Sequence, residues 1–302
     1  GFYTRLFTSE RPSTTQGILE MIQPIVTEEM NSNLTRDFTK QEVDLALKEM
    51  APLKAPGPDD MPPLFFQSFW PLIGDDVSKA VLDCLQSCHI PKEFNYTYVT
   101  LIPKVKNPER IAEFRPISLC NVIYKLISKV LANRLKPLLP SIVSENQNAF
   151  QAGRVITDNI LMEFETLHYM KTQQTGSTGF MALKLDMSKA YDRVEWSFLE
   201  CLLRKLGFHN RWVDLMMECI TTVSYSILIN GEPSQTIYLS RGLRQGDPIS
   251  PYLFLLVTEG LHGLISKAAT SGDIRGISIC RNGPRLTHLF FADDSLLFCR
   301  AS

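Results

Sequence analysis

The spacing of hydrophobic residues predicts helices along most of the chain. The clearest helix begins at Thr39, which forms a capping box with Glu42 and precedes apolar residues that recur on one helical face. The proline-rich stretch 54–60 ends this helix, because proline cannot continue it. Residues 1–38 show no sustained period and are expected to be extended or irregular. Further helices are predicted at about 71–89, 121–136, 157–172 and 195–206.

β-Branched and aromatic residues predict strands between these helices. Residues 96–102 form one such stretch, and residues 180–185 form a short apolar strand that ends at Asp186. Two hairpins are predicted from paired segments, 223–229 with 235–239 around Asn230-Gly231, and 286–291 with 295–299 around Ala292-Asp293-Asp294. Since strands and helices interleave without a steady βαβ alternation, we expect an α+β fold around a mostly antiparallel sheet.

Charge is distributed unevenly along the chain. The net charge is -1, but residues 1–100 carry 8 Lys and Arg against 14 Asp and Glu, and residues 101–302 carry 23 against 18. Residues 104–136 carry eight basic residues against two acids, Glu109 and Glu113, so a phosphate-bearing partner should meet the chain there. For Lys125, Lys129 and Arg134 a solvated helix face is an equal alternative. The basic residues between 104 and 136 are Lys104, Lys106, Arg110, Arg115, Lys125, Lys129, Arg134 and Lys136.

The seven cysteines are scattered and odd in number, which favours free thiols in a reducing compartment over a disulfide framework. Cys84, Cys88 and His89 lack a second ligand pair at a suitable spacing, so helix packing is favoured over zinc binding. Apolar runs are too short to span a bilayer. The start without Met and the end at Ser302 suggest a fragment of a longer protein.

Adjacent aspartates between apolar strands suggest a metal site. Like charges at close range raise each other's proton affinity, and a hard divalent cation such as Mg²⁺ removes that difficulty. Asp293 and Asp294 taken alone would favour an ordinary polar turn. Asp186, delivered by an apolar strand, could join the same cluster. Two metal ions held there would suit an in-line phosphoryl displacement.

Three motifs carry a resemblance to a known family. Residues 182–192 (ALKLDMSKAYD) resemble the first catalytic motif of reverse transcriptases, and residues 291–294 (FADD) resemble their aromatic-x-Asp-Asp hairpin. Residues 241–251 (RGLRQGDPISP) resemble the intervening motif. The match extends to the LINE-type, non-LTR retrotransposon class, with the look of elements abundant in plant genomes, through residues 55–59 (APGPD), 101–104 (LIPK) and 114–119 (FRPISL).

The resemblance implies roles for individual residues. Asp186 and Asp293 would bind two Mg²⁺ ions directly, with Mn²⁺ as a possible substitute, and Asp294 would support them. Tyr191 would stack under the incoming sugar and reject a 2′-hydroxyl. The remaining nucleotide-binding residues would be Gln245 and Gly246, at the nucleotide and template, and Arg115 and Lys104, at the triphosphate.

The resemblance also implies an architecture of right-hand polymerase fingers and palm. The palm sheet would be antiparallel and flanked by helices, with the thumb absent. Residues 1–97 would form an acidic, partly helical N-terminal extension, and residues 98–302 a C-terminally truncated fingers and palm domain. Asp60 departs from the family, which commonly has glycine at that position.

The expected activity is RNA-directed DNA polymerisation, with an RNA template, a DNA primer or target and deoxynucleoside triphosphates as partners. No membrane partner is expected, the oligomeric state is open, and the location would be the nucleus or the cytoplasm. Three alternatives stay open: a defunct retroelement remnant with passive nucleic-acid binding, an intron-encoded maturase, and, less favoured, a carboxylate-pair enzyme such as a glycosidase.

Overall fold

The computed structural model describes residues 1–12, 16–151, 153–173, 179–280 and 283–301. Short 3-10 turns supplement the regular elements. The helices are α1 (Phe2–Leu6), α2 (Gln16–Leu19), α3 (Glu28–Thr35), α4 (Lys40–Lys48), α5 (Pro63–Ser87), α6 (Lys92–Asn95), α7 (Val122–Leu135), α8 (Leu139–Ile142), α9 (Ile156–Thr172), α10 (Trp196–Leu206), α11 (Asn210–Thr221) and α12 (Ser250–Ser271). The strands are β1 (Tyr96–Pro103), β2 (Phe114–Cys120), β3 (Gly179–Asp186), β4 (Ser224–Ile229), β5 (Glu232–Pro233), β6 (Ile237–Tyr238), β7 (His288–Phe291) and β8 (Asp294–Ala301).

These strands form two sheets. The five-stranded sheet has the order β2-β1-β4-β5, with β6 also pairing with β4. Its β1 and β2 are antiparallel, whereas β1 and β4 run parallel. The three-stranded sheet has the order β3-β8-β7 and is antiparallel throughout. The α+β prediction is confirmed.

Both predicted hairpins are present. Asn230 and Gly231 have φ angles of 54° and 87° and connect β4 to β5, as expected for a tight Asn-Gly turn. In the second hairpin Phe291 pairs with Asp294, so the turn consists of Ala292 and Asp293. Asp294 is therefore the first residue of β8 and not part of the turn.

One hydrophobic core joins the first and second parts of the chain. Leu47 of α4 and Leu85 of α5 pack in the same cluster as Leu131 of α7, Trp212 of α11 and Leu255 of α12. The boundary expected after residue 97 falls inside β1, which pairs with strands on both sides. Residues on either side of that boundary thus depend on each other for burial.

Most predicted helices are confirmed, and their signals are visible in the structure. The backbone N–H of Thr39 donates to the Glu42 carboxylate at 2.9 Å, which completes the capping box of α4. Gly207 ends α10 with a φ of 94°, a conformation that glycine adopts without strain.

The prediction for residues 1–38 is wrong in part, because α1, α2 and α3 lie there. Helix α3 has its own cap, since the Thr27 hydroxyl accepts from the Met30 N–H at 3.2 Å, and it buries Leu34. The start predicted near residue 71 for the second long helix is also wrong. Helix α5 begins at Pro63, in the first turn where a missing N–H costs little, and it tolerates Pro71 inside.

Three of the longer elements after residue 38 were not predicted. Helix α12 is apolar around most of its circumference, so it shows little amphipathic period. Strand β2 contains Pro116, which argues against a central strand but is tolerated on this edge strand of the sheet. Helix α11 buries Trp212 and Met216 at helical spacing, a signal that was present and overlooked.

Lys125 and Arg134 do not form a solvated helix face, so that alternative is wrong for these two residues. The Arg134 guanidinium is buried between α7 and α4, where its Nε donates to Glu42 at 2.8 Å and its Nη1 donates to the Leu34 carbonyl. Lys125 is buried and donates to the Ala55 carbonyl at 2.9 Å, and burial lowers its pKa. Both cations therefore hold the fold together.

Among the described residues, none of the helices combines the length and the apolar character needed to cross a lipid bilayer.

Candidate active site

Two carboxylates face each other across the three-stranded sheet. Asp186 ends β3, Asp294 begins β8, and the two residues are register partners. Directly opposed residues of an antiparallel pair project to the same face, where like charges destabilise the pairing. Lys184, two residues earlier on the same face, offsets part of this repulsion, since its Nζ lies 3.3 Å from Asp294 Oδ1.

The turn that carries Asp293 is held by a buried glutamine. Ala292 has a φ of 53°, in the left-handed region that alanine rarely adopts. The Gln147 side chain accepts from the Ala292 N–H at 3.0 Å and donates to its carbonyl at 3.4 Å. Gln147 is fully buried. It therefore fixes both backbone polar groups of the strained residue immediately before Asp293.

A cavity of about 450 Å³ opens beside this turn. Seven of the eight residues selected from the sequence line it, and Asp294 is the exception. The cavity combines carboxylate, basic, aromatic and backbone groups, which is a suitable set for a triphosphate ligand. Its lining residues are Lys104, Arg115, Pro116, Asp186, Lys189, Ala190, Tyr191, Arg244, Gln245, Gly246, Pro251 and Asp293.

The acids are suited to a hard divalent cation, although they are not drawn together into a closed cluster. In the part of the chain that the structure describes, no group of three or more His, Cys, Asp or Glu side chains is gathered closely enough to hold a metal ion. Asp186 and Asp293 nevertheless offer exposed carboxylate oxygens to one cavity, and Asp294 faces Asp186 across the strands. Oxygen donors of this kind fit Mg²⁺ or Mn²⁺.

Tyr191 forms a flat wall of the cavity. Its ring stacks on Phe254 of α12 with ring centroids 4.6 Å apart and an interplanar angle of 13°. The Tyr191 carbonyl accepts from the Leu243 N–H at 2.7 Å. Burial, and next the charge of Asp293, raise the pKa of the Tyr191 hydroxyl, which therefore stays protonated. The ring is thus held in one position by the Phe254 ring and by the backbone hydrogen bond from Leu243.

The segment carrying Gln245 and Gly246 is fastened to the edge of the five-stranded sheet. The Gln245 carbonyl accepts from the Ser118 N–H of β2 at 2.8 Å. Gly246 has a φ of 111°, and a Cβ placed on it would lie 3.1 Å from the Ser118 carbonyl oxygen. Only glycine fits both the backbone conformation and this close approach.

Asp192 is a buried acid beside the cavity that sequence reasoning missed. It is 1% exposed, and its Oδ1 accepts from Gln245 Nε2 at 3.2 Å. Its other oxygen has no hydrogen-bond partner among the described residues. Burial raises the pKa of this carboxyl to about 6, against the opposing charge of Lys189. Its position in the 182–192 motif was the available signal, but the sequence did not show which way the side chain points.

Basic side chains also line the cavity. Lys104 follows β1 and Arg115 lies on β2, and both are exposed. The Lys104 N–H donates to the Glu113 carbonyl at 2.8 Å, which closes the loop between these strands. Lys189, which the sequence analysis did not select, also lines the cavity and donates to the Phe114 carbonyl at 3.0 Å. Burial lowers its pKa.

Arg244 reaches the cavity wall but is committed to the fold. Its guanidinium is 3% exposed, lies 3.8 Å from the centre of the Tyr124 ring, and pairs with Asp247 at 3.2 Å. Its Nη2 donates to the Cys219 carbonyl at 2.7 Å. A cation so fully paired is a structural anchor for the neighbouring Gln245.

An antiparallel sheet that presents aspartates beside basic side chains and a glycine-bearing loop is the arrangement of a nucleotidyl-transferring enzyme. Residues 102–302 match the family model described as reverse transcriptase (RNA-dependent DNA polymerase). Because this match covers most of the chain, the chain belongs to the reverse transcriptase family, as the motifs predicted. Enzymes of this family generally use divalent metal ions.

Curated relatives extend the comparison to almost the whole chain. The transposon TX1 uncharacterized 149 kDa protein of Xenopus laevis is 29% identical over 299 residues, covering 98% of this chain and 22% of that protein. A Pol polyprotein from the type-2 retrotransposable element R2DM of Drosophila melanogaster is 26% identical, covering 98% of this chain and 26% of the other. An uncharacterized mitochondrial protein of Arabidopsis thaliana is 54% identical over 68 residues, 22% of this chain and 56% of that protein.

The chain spans about a quarter of the length of the TX1 and R2DM proteins. The three-stranded sheet and its cavity therefore correspond to one part of much longer relatives.

Proposed function

We propose that this chain is the polymerase part of a LINE-type, non-LTR retrotransposon protein and that the protein copies RNA into DNA. Two independent features support the non-LTR class. The upstream segments 55–59, 101–104 and 114–119 resemble that class, and the R2DM relative is named as a Pol polyprotein of a retrotransposable element.

The observation that carries the proposal is the composition of one cavity. Asp186 and Asp293, the basic side chains of Lys104 and Arg115, and the Tyr191 ring all line the same 450 Å³ space. A deoxynucleoside triphosphate needs this combination, because its phosphates attract cations while its reacting phosphorus needs metal-binding acids nearby.

In the proposed reaction the 3′-hydroxyl of a DNA primer attacks the α-phosphate of the nucleotide. A new phosphodiester bond forms, the bond between the α- and β-phosphates breaks, and pyrophosphate leaves. Arg115, with Lys104, binds the triphosphate, since a guanidinium can grip phosphate in two places. The Gln245-Gly246 backbone supports the nucleotide and template, and the Tyr191 ring lies under the sugar and excludes a 2′-hydroxyl.

Asp186 and Asp293 would hold the divalent ions, with Asp294 supporting them from the adjacent strand. Two bound Mg²⁺ ions, or Mn²⁺ in their place, would supply activation of the attacking hydroxyl and stabilisation of the leaving oxygen. The proposed partners are an RNA template, a DNA primer or target and deoxynucleoside triphosphates. The proposed place of action is the nucleus or the cytoplasm.

Primer extension on an RNA template tests this function in the complete protein. Asp293→Asn should reduce Mg²⁺-dependent extension by roughly a hundredfold or more, because a neutral amide cannot replace a metal-binding carboxylate. Asp76→Asn, at an exposed position on α5, is the matched control and should extend normally.

Extension at the wild-type rate by Asp293→Asn would remove this residue from the metal site. An unmodified protein that binds RNA but incorporates no nucleotide would instead support the defunct remnant or the maturase, and the proposed function would be abandoned.

A further inference from the structure

A second cavity, of about 670 Å³, has an unusual charge composition. Among the described residues, three arginines line it and no acidic side chain does. Of its other residues, Tyr169 lies in the last turn of α9 and Gln173 follows the helix directly. The complete lining is Tyr169, Gln173, Arg275, Gly276, Ser278, Ile279, Cys280, Gly283, Arg285 and Arg300.

Backbone hydrogen bonds hold the three arginines in place from separate segments. Ile277 and Leu286 exchange hydrogen bonds of 2.9 and 2.8 Å, so the chain near Arg275 and the chain near Arg285 run side by side. The Arg300 N–H of β8 donates to the Arg275 carbonyl at 2.9 Å. The three arginines therefore lie on one connected backbone framework. The 670 Å³ cavity that they line is called the arginine pocket.

The charges in the arginine pocket are uncompensated. Within the described ranges, none of the three guanidinium groups forms an ion pair with a carboxylate. Arg300 lies over the Phe180 ring, with its guanidinium carbon 5.9 Å from the ring centre. Like charges around one cavity repel each other, and an anion with several oxygens relieves that repulsion through paired N–H···O bonds.

We propose that the arginine pocket binds the sugar–phosphate backbone of the nucleic acid on which the polymerase acts, as a second contact outside the catalytic cavity. This inference rests on the proposed function. Phosphate is the anion that the guanidinium fork matches, and a strand supplies several phosphates to several arginines at once.

The strand β8 sets the distance from the catalytic cavity. Asp294 begins β8 and Arg300 lies six residues later on the same face, which corresponds to roughly 20 Å at the usual rise per residue. Successive phosphates of one strand are about 3.4 Å apart along a duplex axis. A nucleic acid must therefore extend at least about six nucleotides from the reacting end to reach the arginine pocket.

Affinity as a function of substrate length and salt tests the inference in the full chain. The variant Arg275→Gln with Arg300→Gln should bind a 20-base-pair primer–template about tenfold more weakly. The slope of log affinity against log salt should fall by about one to two, because each lost phosphate contact releases one fewer counterion. A substrate of five base pairs should bind the variant and the wild type equally.

The control variant Lys79→Gln with Arg211→Gln removes the same charge from surfaces outside both cavities and should change neither affinity nor slope. The single variant Arg285→Gln should reproduce a smaller loss, and circular dichroism should show the wild-type fold for every variant compared. Nucleotide incorporation at saturating primer–template should stay unchanged, which separates this site from the catalytic cavity.

Equal affinity and slope in the arginine variant and the wild type would overturn the inference. So would an equal loss in the control variant, or an equal loss with the five-base-pair substrate. Calorimetry with inorganic pyrophosphate distinguishes the sources of phosphate, since saturation of the pocket by pyrophosphate with no effect of strand length would assign it to a small anion. Because binding is measured without catalysis, failure of the proposed polymerase activity would leave these results readable.

Discussion

Asp192 shows how a single buried acid can shape the catalytic cavity without facing it. Its carboxylate accepts a hydrogen bond from the Gln245 amide, so the Gln245 side chain is held in one orientation at the cavity wall. The acid is 1% exposed, and the Gln245 amide is the one hydrogen-bond donor to its carboxylate among the described residues. We infer that Asp192 positions Gln245.

We expect Asp192→Ala to raise the KM for the nucleotide about tenfold while kcat changes less, because one buried hydrogen bond of about 1 kcal/mol or slightly more is lost. Asp192→Asn, which keeps an acceptor oxygen but carries no charge, should rescue only part of the effect at neutral pH. In the wild type, kcat/KM should fall below about pH 6, where the Asp192 carboxyl becomes protonated, and this inflection should be absent in Asp192→Asn. Steady-state extension kinetics of the wild type and both variants across pH test these expectations. A loss confined to kcat would contradict the inference that Asp192 positions Gln245.

The buried Glu259 carboxyl should make the stability of the folded protein depend on pH. It is buried on α12, its carboxylate accepts from the Ser144 N–H and hydroxyl at 3.1 Å, and burial raises its pKa to about 7. Because the folded protein favours the protonated Glu259 carboxyl, this group contributes its full stabilisation below the unfolded-state pKa of 4.5. That contribution is lost as the pH rises through the folded-state pKa of about 7.

Relative to Glu259→Gln, the wild type should lose on the order of 3 kcal/mol of unfolding free energy between pH 4.5 and 8, since each pKa unit is worth about 1.4 kcal/mol. Urea denaturation of both proteins at several pH values measures the difference. A constant difference across this range would mean that Glu259 ionises in the folded protein as it does in the unfolded chain.

At the residue scale, the sequence identified the cavity-lining groups through motif spacing. Lys104 and Asp293 are nearly 200 positions apart, yet each was selected and both line the cavity. Gln147 was not selected, because its contact with Ala292 joins segments that no local pattern relates. Local signals reveal which residues have reactive side chains, but not which distant residue supports them.

At the level of elements, the Gly246 segment depends on two constraints that can be separated by substitution. Gly246→Ala adds a Cβ 3.1 Å from the Ser118 carbonyl oxygen in a backbone with a φ of 111°. Gly272→Ala, at the end of α12, meets a positive φ of 86° but nothing within 4 Å. The second variant therefore isolates the cost of the backbone conformation.

We expect Gly246→Ala to destabilise the protein by roughly 1–3 kcal/mol, and Gly272→Ala by about 1 kcal/mol. Extension activity should be lost in Gly246→Ala and retained in Gly272→Ala, because only the former displaces Gln245. Thermal unfolding and primer extension provide the two readings. Equal destabilisation with full activity in both variants would show that the loop absorbs the added methyl group.

Elements were predictable where a local signal was strong and unpredictable where tertiary burial decided. The Thr39 cap and the Asn230-Gly231 turn are determined by neighbours in sequence, and both were found. Helix α12 is surrounded by other elements, so its polar and apolar sides do not differ enough to show a period. Pro71 predicts a helix start, whereas α5 continues through it because Phe66 and Val81, before and after it, pack in one core with α4 and α7.

At the scale of the whole molecule, the N-terminal segment belongs to the same folded body as the catalytic cavity. The Phe7 carbonyl accepts from the Ser240 and Arg241 N–H groups at 3.0 and 3.2 Å. The Arg241 side chain returns a hydrogen bond to the Leu6 carbonyl at 2.8 Å. The first residues thus anchor the chain just before the segment that carries Gln245.

We therefore expect residues 98–302 expressed alone to lack cooperative unfolding. This piece would lose the start of β1 and the helices α4 and α5, leaving the apolar side of α7 in water at a cost of about 25 cal/mol for each Å² exposed. Thermal melts of residues 98–302 and of the full chain make the comparison. A sharp transition in the shorter piece would show that residues 98–302 fold independently.

The Asn230-Gly231 turn is a suitable site for inserting a label. Both residues are exposed, and Gly231 has no neighbouring atom within 4 Å of where a side chain would start. Loop tips of this kind tolerate added sequence, because no buried contact has to be broken. A short epitope or a dye-labelled peptide inserted there would mark the protein while leaving the carboxylates and the arginine pocket untouched.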